Sequence, residues 1–330
     1  MTNPTGDSPV GRGSEGVGRP VPFRLPMAVR FRGVDVREGV LLQGPAGWGE
    51  FSPFWDYDTW RAVPWLYAAR EAAYNGWPHA VRDSVPVNAT VPAVGPERAQ
   101  QLVHAAGCTT VKVKVAEPGQ GLADDVERVA AVRDALGPGG KVRVDANGAW
   151  SAEEAVQRIR ALDIAAAGLE YVEQPCATID ELAAVRRRVH VPIAADESVR
   201  LSDDPLRVVR AEAADIVVLK VAPMGGVASC LIVAEQVGVP VVVSSALESS
   251  VGLAAGVALA AALPDLPYAC GLGTARLLAA DLAAEPLVAV DGRLPVRRVE
   301  PDPALLAAAA GDEELALRWA ERLARVEADA

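Results

Sequence analysis

The sequence predicts an α/β chain: a (β/α)8, TIM-like barrel with an N-terminal α+β capping domain that the C-terminal segment completes. Three observations carry this. From Val85 onward one rhythm repeats, a short β-branched apolar segment, a polar exit and an Ala-rich amphipathic stretch. Before Val85 the chain instead alternates β-prone and polar residues around turn signals, and after Gly271 the repeating rhythm stops. Strands that alternate with helices form parallel units, and eight such units close a barrel whose chemistry sits at the C-terminal ends of the strands.

In chain order, residues 1–20 are rich in Gly, Pro, Ser and Thr and lack an apolar core, so they read as a disordered tail and not a signal peptide. The capping domain is expected over 21–84. Its sheet occupies roughly 22–54 and is followed by a helix over 57–76 with Trp60, Val63, Leu66 and Ala69 on one face. Trp55, Trp60, Trp65 and Trp77 are expected to form this domain's core. The barrel is expected over 85–284, with strands at 85–90, 110–115, 141–145, 169–172, 191–195, 214–219, 239–243 and 267–270. Residues 285–330 return to the capping domain: a hairpin around Asp291-Gly292 that rejoins the N-terminal sheet, then an amphipathic helix over 312–328 with Leu315, Leu317, Trp319, Leu323 and Val326.

Bulk properties narrow the function. The 330 residues are 51% hydrophobic and carry a net charge of −11, which leaves no basic stripe for nucleic acid or an anionic membrane. The most apolar window, 249–263, falls short of the roughly 18 residues a spanning helix needs. Cys108, Cys176, Cys230 and Cys270 are scattered without a C-x-x-C pair, as expected of reduced thiols. The expectation is a cytoplasmic protein acting on a small-molecule carboxylate, with its oligomeric partner unspecified.

Five consecutive strand segments end in charge: Lys112 and Lys114, Asp145, Glu173, Asp196, and Lys220. On parallel neighbouring strands these gather at one rim. Three carboxylates side by side in a poorly solvated site repel strongly and call for a multivalent cation. Oxygen donors without His or Cys beside them suit Mg2+, with Mn2+ as its substitute. Lys112 and Lys114 leave the same strand face, where each is expected to lower the pKa of the other toward that of a general base. The assembly implies that a substrate carboxylate binds the ion, a lysine removes the neighbouring proton, and the ion with a cationic lysine stabilises the resulting enediolate. Strand alternation lets one of Asp196 and Glu197 face inward, and physics alone leaves that choice open.

The ordered set Lys112-x-Lys114, Asp145-Ala146-Asn147, Glu173-Gln174-Pro175, Asp196-Glu197-Ser198 and Lys220 resembles the muconate-lactonizing subgroup of the enolase superfamily, over nearly the whole chain. Within it, 143–147, 244–250 and 270–274 are similar to the o-succinylbenzoate synthase family, which dehydrates a cyclohexadiene carboxylate in menaquinone biosynthesis. That resemblance implies a lyase in which Asp145, Glu173 and Asp196 hold Mg2+. Lys114 takes the α-proton and returns it to the departing hydroxyl on the same face, Lys220 stabilises the enediolate, and Lys112 stands with them. It also implies that Arg143, Ser244 and Gly271 contact the substrate, that Asn147 joins them or supports the ligands, and that Glu197 stands behind the ligand set.

The relatives of this subgroup are separated in part by single residues. His79, His104 and His190 all lie away from the strand ends, which disfavours members that use a histidine base. Cys270-Gly271-Leu272-Gly273 lacks the Asp-x-Asp with which dipeptide epimerases hold an ammonium group. N-succinylamino acid racemase and muconate cycloisomerase remain alternatives, since two opposed lysines serve them equally. A catalytically silent barrel is disfavoured by the intact base and ligand types.

Overall fold

The computed structural model describes residues 19–31 and 33–330; the tail expected for 1–20 lies outside the described residues through residue 18. A three-stranded antiparallel sheet opens the chain, in the order β1 (Val21–Phe31), β2 (Val34–Gly44) and β3 (Gly47–Phe51). Both faces are covered: Phe23, Leu25 and Leu41 face the large core, and Val40, Leu42 and Phe51 face the other way into a second one.

The helix Thr59–Arg70 follows. Asp58 caps it by accepting from the Arg61 amide at 2.8 Å. The helix continues as a π turn over Glu71–Asn75. Its buried face is set by Ala62, Trp65, Leu66 and Ala69, which places Trp60 and Tyr67, one heptad apart, on the opposite face. The expected tryptophan core is corrected accordingly: Trp65 is fully buried, while Trp60 is 71% and Trp55 42% exposed.

Eight parallel strands form the barrel: β4 (Ser84–Val91), β5 (Thr110–Lys114), β6 (Lys141–Asp145), β7 (Leu169–Glu173), β8 (Ile193–Ala195), β9 (Ile216–Leu219), β10 (Val241–Val243) and β11 (Cys270–Gly273). Each pairs with its sequence neighbour from β4 to β10, and β11 returns to β4. A parallel bridge between Ser244 and Gly271 joins the two ends of this path and closes the ring. Both faces of such a sheet are covered, so the strands are near-continuous Val, Ile and Leu runs. Outward residues such as Val111, Val113, Val142 and Val144 pack with the helices in one large core. Tyr171, Ala194, Ile216, Val218 and Val242 fill the lumen with Tyr268.

The C-terminal hairpin differs from expectation. Asp291 and Gly292 do turn the chain with positive φ, but β12 (Arg293–Pro295) pairs antiparallel with Ser84–Pro86 of β4, not with the N-terminal sheet. The reason is that β5 meets β4 only from Ala89 onward and β11 from Val87, so the start of β4 presents backbone groups that β12 satisfies. The final helix, Glu313–Asp329, packs Leu315, Trp319, Leu323 and Val326 against Val40, Phe51, Trp65 and Leu66. Leu317 is out of that phase and exposed. No helix among the described residues is long and apolar enough to cross a membrane.

Candidate active site

The charged residues meet because strand register aligns them. Lys112 pairs across the ladder with Arg143, and Arg143 with Tyr171; two residues further on, Lys114 pairs with Asp145 and Asp145 with Glu173. Asp196 follows the last residue of β8, and Lys220 follows β9. All three carboxylates are at most 1% exposed. In a ring of eight, β5 and β9 lie four strands apart, so Lys114 and Lys220 approach from opposite walls.

Each acidic group is drawn to a cation of the protein. Lys112 Nζ donates to both Glu173 oxygens at 3.0 and 2.9 Å, and Lys114 Nζ contacts Asp145 Oδ2. Lys220 Nζ donates to Asp196 Oδ2 at 2.6 Å, and Arg200 Nε to its Oδ1 at 2.9 Å. Burial opposes the charge on Lys112, but Glu173 and Asp145 more than offset this and raise its pKa. The expected lowering by Lys114 is thus corrected: the carboxylates outweigh the neighbouring lysine. Burial and the repulsion of Asp145 push Glu173 up to about 7, against the pull of Lys112. Burial would likewise raise Asp196, yet Lys220 and Arg200 hold it below the usual range.

Above these groups lies a cavity of about 430 Å³ between barrel and capping residues. Lys112, Lys114, Lys220, Glu197, Ser244 and Gly271 line it from the barrel, and Phe31, Phe54, Tyr57 and Arg61 from the capping side. Gly271 is required by close approach, because a Cβ there would stand 2.4 Å from Ser244 Oγ. His79, His104 and His190 are exposed and line no part of this cavity. The four cysteines are buried free thiols.

Three expected residues sit differently. Arg143 does point inward, but it is fully buried in the lumen. It bonds Glu170, Asn88 Oδ1 and the Ala269 carbonyl, stacks 4.6 Å from the Tyr171 ring, and does not line the cavity. Asn147 is also absent from the lining; it accepts from Lys114 Nζ at 3.0 Å and donates to Glu197 at 3.3 Å. Asp196 and Glu197 both reach the site, because β8 ends at Ala195 and a short helix, Glu197–Arg200, begins where alternation was assumed to continue. Arg200 was missed altogether. It grips Asp196, Glu197 and the Tyr57 hydroxyl, and its only signal was the four-residue spacing from Asp196.

Comparison with known proteins adds the context. Residues 96–302 match the enolase C-terminal domain-like family and residues 22–73 the enolase N-terminal domain-like family. The o-succinylbenzoate synthase of Thermobifida fusca (strain YX) is 66% identical over 278 residues, covering 84% of this chain and 87% of that protein. The chain belongs to the o-succinylbenzoate synthase family of the enolase superfamily. A second member, from Mycolicibacterium smegmatis, is 59% identical over 91% of this chain and 92% of its own length. Among solved structures, the L-Ala-D/L-Glu epimerase of Bacillus subtilis superposes with a TM-score of 0.74 at 23% identity, over 86% of this chain and 96% of that one. Muconate cycloisomerase of Pseudomonas fluorescens gives 0.74 at 22%, over 89% and 98%. These two share the fold.

Enzymes of this superfamily generally depend on a divalent metal ion. In this arrangement, no three acidic, His or Cys side chains among the described residues are gathered tightly enough to enclose one. The donor set nevertheless fits: three buried carboxylates on consecutive strands, one of them pushed up in pKa by burial and then by Asp145, carry a repulsion that a divalent cation relieves.

Proposed function

We propose that the chain catalyses the reaction of its family, the syn dehydration of 2-succinyl-6-hydroxy-2,4-cyclohexadiene-1-carboxylate to 2-succinylbenzoate in menaquinone biosynthesis, with Mg2+ as the cofactor and the cytoplasm as the place of action. The observation that carries the reading is that Lys114 and Lys220 enter one cavity from strands four apart in the ring, above three buried carboxylates. Mg2+ held by Asp145, Glu173 and Asp196 would draw charge from the substrate carboxylate and acidify the adjacent C–H bond.

Lys114 removes that proton once its contact with Asp145 is given up, then returns it to the hydroxyl leaving from the same face. Asn147, 3.0 Å from its Nζ, steers the amine. Lys220 remains an ammonium on the opposite wall and stabilises the developing enediolate. Lys112, fixed by Glu173, adds positive potential beneath the substrate. Ser244 and Gly271 form the wall for the succinyl arm. Arg143 acts from below, holding the lumen in shape through Glu170, Asn88 and Ala269.

The test is turnover, with direct comparison of the cyclohexadiene acid, N-succinylamino acids and muconate. The cyclohexadiene acid is expected to react fastest, and faster turnover of another compound would overturn the assignment. Lys114→Ala should abolish dehydration with the fold intact by circular dichroism. Retained turnover would remove the lysine from its proposed role.

A further inference from the structure

Leu247 lies in the cavity wall with φ of 66°, a left-handed conformation that side chains larger than glycine adopt only at a cost. The outlier is held from the other domain. Arg37, on β2 and 4% exposed, donates through Nε to the Leu247 carbonyl at 3.0 Å and through Nη2 to the Ser52 carbonyl at 2.6 Å and hydroxyl at 3.1 Å. Its guanidinium also lies 4.3 Å from the centre of the Phe54 ring, a second cavity-lining group. Arg37 itself does not line the cavity.

The same anchor continues into the loop after β10. Ser52 Oγ donates to Glu50 Oε1 at 2.7 Å. Glu50 in turn accepts from Ser249 Oγ at 2.5 Å and from the amides of Ser249 and Gly252 at 3.1 and 3.2 Å. The Leu247 side chain packs with Phe31, whose ring centre is 5.2 Å from Lys114 Nζ. A chain of contacts therefore runs from Arg37 through Leu247 and Phe31 to Lys114. Burial disfavours the charge on Arg37, a cost that an apolar residue packing the same space would avoid.

We propose that Arg37 is a positioning residue for the reaction: from the N-terminal sheet it fixes the left-handed turn at Leu247 and the ring of Phe54, and so sets the shape of the cavity wall facing Lys114. The proposal rests on the reading that this cavity binds the substrate. It assigns Arg37 an effect on substrate binding, since it acts on the cavity wall through the Leu247 carbonyl and the Phe54 ring.

The experiment is steady-state kinetics of wild type, Arg37→Ala and Arg37→Lys, with folded fraction measured by circular dichroism and amide exchange followed over residues 246–252. Arg37→Ala is expected to raise KM tenfold or more with kcat within threefold, to speed exchange in that segment, and to recover KM when guanidinium is added at low millimolar concentration. Arg37→Lys, which keeps the charge but loses the fork, should resemble Arg37→Ala. Unchanged KM, or loss of kcat only in proportion to unfolded protein, overturns the proposal. If wild type itself fails to turn over, the functional reading falls, and unchanged exchange over 246–252 in Arg37→Ala then overturns the positioning role as well.

Discussion

Lys220→Met separates catalysis from folding more sharply than any other change in the site. The Lys220 side chain is 11% exposed and its ammonium lies 2.6 Å from Asp196, whose second oxygen is held by Arg200 at 2.9 Å. Breaking a buried pair outright costs about 3–5 kcal/mol because a charge is left uncompensated. Here Arg200 remains, so roughly half that loss, about 2 kcal/mol, is expected, or a fall in Tm of several degrees. The rate should suffer more. Removing a preorganised charge that faces developing negative charge in a water-poor site costs on the order of 10³-fold in kcat, about 4 kcal/mol of barrier. The assay follows dehydration by the absorbance change as the cyclohexadiene ring becomes aromatic, alongside a thermal melt. Turnover within tenfold of wild type would refute the role of Lys220, and a variant unfolded at assay temperature would refute the claim that Arg200 sustains Asp196.

Other outcomes follow from the same geometry. Chelation should abolish turnover, Mg2+ should restore it, and titrating Mg2+ into the chelated protein should raise Tm because binding favours the folded state; a Tm indifferent to Mg2+ would count against the carboxylate trio as ligands. Gly271→Ala places a Cβ 2.4 Å from Ser244 Oγ, so the hydroxyl must rotate away. About 1–3 kcal/mol of stability and a raised KM are expected, measurable by denaturant titration and kinetics. Glu50 is pushed up from 4.5 to about 7, chiefly by burial. Between those pH values the folded state keeps a proton that the unfolded chain has lost, so this group makes stability fall as pH rises, by at most about 1.4 kcal/mol per unit. Glu50→Gln should flatten that slope, and an identical slope in the variant would place the titration elsewhere.

The barrel was legible because its signal is repeated: each strand is a short apolar run, and the charge at each exit survives any small error in its boundaries. The carboxylates and lysines were legible for the same reason. What escaped depends on contacts between distant segments. Arg143 has the parity of Asp145, yet parity says inward without saying how deep, and Tyr171 and Ala269 decide that. The choice between Asp196 and Glu197 presumed a strand that had already ended. Trp60 was placed on one face with Val63, Leu66 and Ala69, but a strict three-residue spacing drifts around a 3.6-residue helix, and the phase set by Trp65 and Leu66 turns Trp60 outward. The left-handed Leu247 has no local sequence signal, since nothing in Ala246-Leu247-Glu248 announces an arginine from β2.

The docking of the last helix on the first has a consequence for how the enzyme comes into being. Phe54, Tyr57, Arg61 and Trp65 supply the capping side of the cavity, and the Trp65 and Phe51 side chains lie in a core completed by Leu315, Trp319, Leu323 and Val326. All eight barrel strands, lysines and carboxylates included, precede Leu315, Trp319, Leu323 and Val326 in the chain, so this core is completed by the residues made last. The barrel alone is a binding site without a ceiling. The capping side of the cavity therefore rests on a helix that follows every barrel strand in the chain.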